Sequence, residues 1–146
     1  MLLTRGNKIT WLGHSTFAIT SPSGKVVLLD PWLTENPACP KAQKTPARVD
    51  AMLISHGHGD HLGDAVTLGK KFKPQIACNY EIYLWLTSNG VENISPMNKG
   101  GTQRLGEIEV TMVDAKHSSG IEDDGKVVYA GEPAGFVVRL PGGLTM

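Results

Sequence analysis

Ser55-His56-Gly57-His58-Gly59-Asp60-His61-Leu62-Gly63-Asp64 is the stretch on which the reading of this chain turns. It holds three of the chain's five histidines, with an aspartate among them and glycines in the gaps. Imidazole nitrogen and carboxylate oxygen are the donors that a borderline divalent cation such as zinc takes up. Residues two apart in extended chain point the same way, so His56 and His58 can grip one ion together. Asp60 and His61 are displaced along the chain and face a neighbouring position. Gly57 and Gly59 add no side-chain bulk and leave the backbone free to fold tightly. A solvated histidine-rich turn is the bland alternative, but short tracts of this composition favour metal.

The flanks place this loop. Residues 49–55 read as a buried strand, and residues from His61 to about Phe72 as a helix with Asp60 at its N-cap. A strand end meeting a helix start is where α/β folds put their chemistry. Upstream, residues 8–12, 16–20 and 25–29 read as three short strands, with a turn at 21–24. The segment 32–48 holds Pro37, Pro40 and Pro46 and follows Pro31, so it is neither helix nor central strand. It forms either one wall of a pocket or a surface connection. Downstream come a strand at 75–78 and a helix at 80–88 ended by Asn89-Gly90. Ile82, Trp85 and Leu86 recur at helical spacing and read as core. Strands then follow at 102–105, 107–113, 126–129 and 135–140. Helices covering a sheet face, the α/β class, follow from this order. At the end, Pro141-Gly142-Gly143 turns the chain into a hairpin whose second arm is three residues long. That leaves much of the first arm's edge unpaired.

A length of 146 residues suits one domain with a real core. Fourteen basic residues balance fourteen acidic ones, which argues against a nucleic-acid or anionic-membrane partner. No charged leader precedes an apolar run, and no stretch approaches the length of a spanning helix. A cytoplasmic protein is the expectation, with Cys39 and Cys78 as reduced thiols. Cys39 is placed near a pocket and Cys78 in a buried strand.

The run His56-Gly-His58-Gly-Asp60-His61 resembles the HxHxDH signature of the metallo-β-lactamase superfamily. Trp11-Leu-Gly-His14-Ser15-Thr-Phe17 and Leu29-Asp30-Pro31-Trp32 narrow the likeness. They are similar to the branch that includes the ascorbate-phosphate lactonases and, more distantly, the phospholipase-D-like members. The likeness runs from about residue 8 to the last. It implies an αββα sandwich, residues 1–146 forming the N-terminal lobe with an incomplete second lobe. It also implies two divalent ions, zinc first, with manganese or iron as alternatives.

A histidine after a strand is more often structural, but the resemblance makes His117, in Asp114-Ala-Lys-His117-Ser-Ser-Gly, a ligand of the first ion. His56, His58 and His117 would then leave a fourth position open to water, the pattern of a catalytic site. Asp60 and His61 fall to the second ion. The same pattern requires a bridging aspartate and a later histidine, and no histidine follows His117. A companion C-terminal polypeptide is therefore expected, through a split gene, a proteolytic cut or a self-cleaved precursor, with simple truncation as the bland alternative. The unfinished sheet edge also predicts association into an oligomer.

Two further residues stay open. His14, between two strands, could be a satisfied core residue, a partner of a ligand or a substrate contact. The resemblance favours the pocket edge over metal binding. Asp30, at the end of a Val-Val-Leu-Leu strand, either accepts the free N–H of a ligand histidine or simply forms a turn before Pro31. The activity implied is attack of a metal-bound hydroxide on a small-molecule ester, lactone or phosphodiester, with Asp60 orienting or deprotonating the water. Asp30-Pro-Trp and Gly-His-Ser tilt the substrate toward a lactone or phosphate-bearing molecule. The alternatives are a non-catalytic metal-binding or assembly subunit and an iron redox module. Glycines at 57 and 59, where that redox branch carries glutamate, count against the last.

Overall fold

In the computed structural model, which describes residues 4–146, three short strands open the chain. They are β1 (Lys8–Trp11), β2 (Phe17–Thr20) and β3 (Val26–Leu29), paired antiparallel in sequence order. β4 (Ala51–Leu53) then joins β3 in parallel. β5 (Gln75–Asn79) and β6 (Ile94–Met97) add further parallel strands, giving six in the order β1-β2-β3-β4-β5-β6. β6 is absent from the sequence reading. Ile94-Ser-Pro-Met has no apolar periodicity, and it is a strand because it pairs with buried β5. Pro96 is tolerated there because β6 is the sheet's edge.

The helix expected from His61 is broken in two. α1 (Gly59–Leu62) begins after His58, and α2 (Ala65–Phe72) begins after Asp64. Asp60 lies inside α1 rather than capping a helix, which corrects the sequence reading. The break at Gly63-Asp64 has a cause in the long loop before β4. The Asp64 carboxylate takes the N–H groups of Leu33 (2.5 Å) and Thr34 (2.9 Å) and the Thr34 hydroxyl (2.6 Å). α3 (Tyr80–Ser88) matches its expected bounds, with the Asn79 side chain accepting from the Ile82 N–H. Ile82 and Leu86 are buried as expected, while Trp85 is only partly buried and donates its indole N–H to Asp123 at 3.0 Å.

The second half is antiparallel. β7 (Thr102–Leu105) pairs with β8 (Ile108–Asp114), and β9 (Gly120–Asp123) forms a hairpin with β10 (Lys126–Tyr129). Asp124 and Gly125, both at positive φ, make its two-residue turn. The sequence reading has β10 without β9, although Asp-Gly between short runs is a hairpin signal. β11 (Ala134–Arg139) completes a three-stranded sheet of order β11-β8-β7. Beyond β11 a tight turn at Pro141–Gly143 leads to a single bridge between Arg139 and Thr145.

Two apolar clusters fix the layers. Leu28, Met52, Ile54, Ile76 and Cys78 face the helices, against Leu62, Leu68, Ile82 and Leu86. Ile19, Val27, Leu53 and Ala77, on the opposite face, pack on Val110, Met112, Ala134 and Val138 of the smaller sheet. The large sheet is thus sandwiched between one helical layer and the second sheet. The described residues supply three of the four layers of an αββα arrangement. Each fully buried aliphatic side chain contributes about 1.5–3 kcal/mol of burial. No helix among the described residues is long and apolar enough to cross a membrane.

Candidate metal centre

The C-terminal ends of β3 and β4 open onto one rim, and the loop after β4 turns there. It is pinned on both sides: Ile54 N–H donates to Ala77 (3.0 Å), and Ala134 N–H donates to Ser55 (2.9 Å). Gly57 is required by close approach. A Cβ there would lie 2.4 Å from Ala130 Cβ and 2.9 Å from Ile121 Cγ1. The Gly57 N–H donates to Ser119 Oγ at 3.1 Å, and Ser119 donates onward to Ala130, tying the loop to the base of the β9–β10 hairpin.

All five histidine rings pack against one another at this rim, mostly edge to face. His56 Nε2 lies 3.1 Å from His58 Nδ1. The ring of His117 is centred 4.8 Å from that of His56 and 5.1 Å from that of His58. One nitrogen from each of the three lies within 4.8 Å of the others. Beside them, His14, Asp60 and His61 bring a second set of three donor atoms within the same 4.8 Å. Donors bound 2.0–2.1 Å from a tetrahedral ion stand about 3.3–3.4 Å apart, close to the 3.1 Å between His56 Nε2 and His58 Nδ1.

The hydrogen bonds around the rings set which nitrogen faces inward. The Asp30 carboxylate, 4 % exposed, accepts Ser55 N–H at 2.7 Å and Ser55 Oγ–H at 2.7 Å. The same carboxylate lies 2.8 Å from His61 Nδ1 and so accepts its N–H. Ser55 Oγ, having given its proton to Asp30, accepts from His56 Nδ1 at 2.9 Å. Both histidines therefore carry their proton on Nδ1 and present a bare Nε2. Ser118 Oγ is 3.3 Å from His58 Nε2, leaving Nδ1 of that ring as the inward atom. Burial of His56 pushes its pKa down to about 4, helped by repulsion from His61, so it is neutral at pH 7. Ring nitrogens and a carboxylate crowded this closely suit a divalent cation, and the donor chemistry at each position fits one.

Asp30 carries out both tasks left open by its sequence context: it forms the turn, at φ 47°, and it holds a histidine N–H. His14 sits at the rim, as the resemblance suggested, but its Nε2 lies 3.1 Å from Asp60 and 3.2 Å from His61 Nε2. The long loop after β3 is more than a surface connection. Leu33 and Asn36 are buried, and the Trp32 ring meets His14 edge-on at 5.6 Å. Cys39 is buried in this loop and Cys78 in β5; both are free, and burial raises the Cys78 thiol to about 12. Ser55, Ser118 and Ser119 were missed from sequence. Their signal was adjacency, since each hydroxyl flanks a motif histidine at a strand or loop end.

Next to the paired donors is an open cleft of about 470 Å³, lined by His58, Gly59, Ser118, Ser119, Glu122 and Val127. Glu122 and Val127 face each other across the hairpin. The arrangement can thus hold cations at the foot of a cleft large enough for a small molecule.

A family model described as the beta-lactamase superfamily domain matches residues 25–145. A metal-dependent hydrolase of Koribacter versatilis is 51% identical over 142 residues, covering 97% of this chain and 61% of that protein. One from Solibacter usitatus is 54% identical over 134 residues, covering 92% of this chain and 58% of that protein. The chain thus spans about three fifths of the length of these relatives. Among solved structures, Igni18, a metallo hydrolase of Ignicoccus hospitalis, superposes with a TM-score of 0.74 at 29% identity. That match covers 93% of this chain and 57% of the other.

Proposed function

The chain belongs to the metallo-β-lactamase superfamily, and from that premise we propose that it is the metal-holding part of a hydrolase acting on a small-molecule ester, lactone or phosphodiester. His56, His58 and His117 hold one divalent cation, and Asp60 and His61 hold a second. The observation that carries this reading is the convergence of three imidazole nitrogens within 4.8 Å, beside a second donor set of the same span. Zinc is the first choice for histidine donors with a carboxylate, manganese and iron the alternatives.

When bound, such cations lower the pKa of water to about 7 and polarise the bond under attack. The chain's own residues do the rest. Asp30 and Ser55 hold His56 and His61 in one tautomer, so no reorientation is needed on binding. Asp60, its side chain 43% exposed at the rim, orients an attacking water and can take its proton. Ser118 and Glu122 give the cleft polar groups for the substrate, and Val127 offers an apolar wall.

A second reading is supported by the length of the relatives, of which this chain spans about three fifths. In it, the chain binds metal, and turnover needs a companion polypeptide that supplies the remainder and associates at the edge of the smaller sheet. Buried free thiols at Cys39 and Cys78 suit work in a reducing cytoplasm.

The test is elemental analysis of the purified chain, followed by assay against carboxylic esters, lactones and phosphodiesters. Bound metal with turnover supports the hydrolase. Bound metal with turnover only after adding the remaining segment supports the second reading. Absence of metal and turnover in both preparations overturns both.

A further inference from the structure

We propose that His14 is a third protein donor to the second cation, completing with Asp60 and His61 a three-donor position contributed wholly by this chain. The inference rests on the metal-hydrolase reading above and adds to it a residue some forty places from the histidine-rich loop.

Three observations carry it. First, His14 Nε2 stands 3.1 Å from Asp60 Oδ2 and 3.2 Å from His61 Nε2 at the same time. A simple ion pair needs only one of these contacts. Second, the proton count is short. His61 donates its Nδ1–H to Asp30 while keeping the proton, so His61 Nε2 and the Asp60 carboxylate are both acceptors. A single His14 Nε2–H cannot serve both, whereas a cation among the three satisfies all of them. Third, the backbone at His14 is built to present the ring. It takes φ 51°, in the left-handed region that few non-glycine residues occupy and that histidine enters more readily than most.

That support is extensive and distant. The Asn36 amide, fully buried, donates to Gly13 (3.1 Å) and Trp32 (3.0 Å), and its Oδ1 accepts Ala38 N–H (3.0 Å). The Trp11 indole N–H donates to the His14 carbonyl at 2.8 Å. Gly13, at φ 100°, lies against Asn36 and Ala38 with no room for a Cβ. Backbone strain held by a frame of this kind collects where a side chain must be aimed.

The test uses the full chain, stripped of metal and titrated with Co²⁺ alone, reading bound metal by elemental analysis and the ligand-field spectrum. His14→Asn is the main variant, because asparagine tolerates the left-handed conformation but is too short to reach the ion. The unsubstituted chain is expected to take up two equivalents. His14→Asn should weaken only the second, by about 100-fold or more, with the metal-free chain's thermal stability and the first ion's spectrum unchanged. Asp60→Asn should lose the same equivalent, and His117→Ala the other one. Unaltered uptake of the second equivalent by His14→Asn overturns the proposal while leaving the metal reading intact. So does uptake of a single equivalent that His117→Ala abolishes. Uptake of none overturns the metal reading and this proposal together.

Discussion

The carboxylate of Asp30 lies 2.8 Å from Nδ1 of His61, in a contact where both side chains are at most 10% exposed. Through Ser55 the same carboxylate also governs His56, so one buried acid sets the tautomers of histidines in both donor sets.

From that relation, Asp30→Asn should weaken metal binding at both positions by about 10–100-fold, because an amide cannot accept from Ser55 and His61 as a carboxylate does. Asparagine keeps the positive φ, so the fold should persist. Competition with a chromophoric chelator measures the loss, and unchanged affinity would contradict the orienting role.

Metal should stabilise the folded chain and His58→Ala should remove much of that effect. With free zinc at about 100 times its dissociation constant, the gain is about 2.7 kcal/mol per site. Melting temperatures with zinc and with chelator give the difference directly. His58→Ala should lose the first site's share of it and abolish turnover of any ester or lactone that the parent cleaves.

Gly57→Ala should destabilise the chain by about 1–3 kcal/mol, since the new methyl would overlap Ala130 and Ile121. The metal loop must then shift from the hairpin base, so metal affinity should fall as well. Urea unfolding and zinc titration read the two effects separately, and a neutral result would show that the hairpin yields freely.

Acid sensitivity should trace partly to Asp50. Hydrogen bonds from Arg48 hold its carboxyl well below the usual carboxylate range, with further help from Val26 N–H and Lys25. A depressed carboxyl pKa in the folded state means stability that is full above about pH 4 and lost as pH falls through the carboxylate range. The partners are largely solvent-exposed, so the contribution is about 1 kcal/mol. Asp50→Asn should remove that part of the acid slope, measured as denaturation midpoints between neutral and acid pH.

The donors of the histidine-rich loop were legible because they sit within six residues and carry their chemistry in their identity. Apolar patterning likewise announced β2, β3 and β8 as strands, and helical spacing announced α3. Other elements were silent. Ile94–Met97 becomes a strand only by pairing with β5, and Gly120–Asp123 only by pairing with β10. The helix after the loop is cut by Asp64 reaching Leu33 and Thr34, some thirty residues back, which local periodicity does not register.

What the amino-acid order determined by itself is therefore the histidine-rich loop with its candidate donors, the α/β class and the glycines that let the loop turn. What only the tertiary structure decided is convergence: parallel β3 and β4 end at one rim, so Asp30 meets His61 across 31 residues and His14 meets it across 47. The physical reason is that side-chain chemistry is a property of each residue. Which donors share a few ångströms of space depends instead on strand order and on how the sheet's core packs.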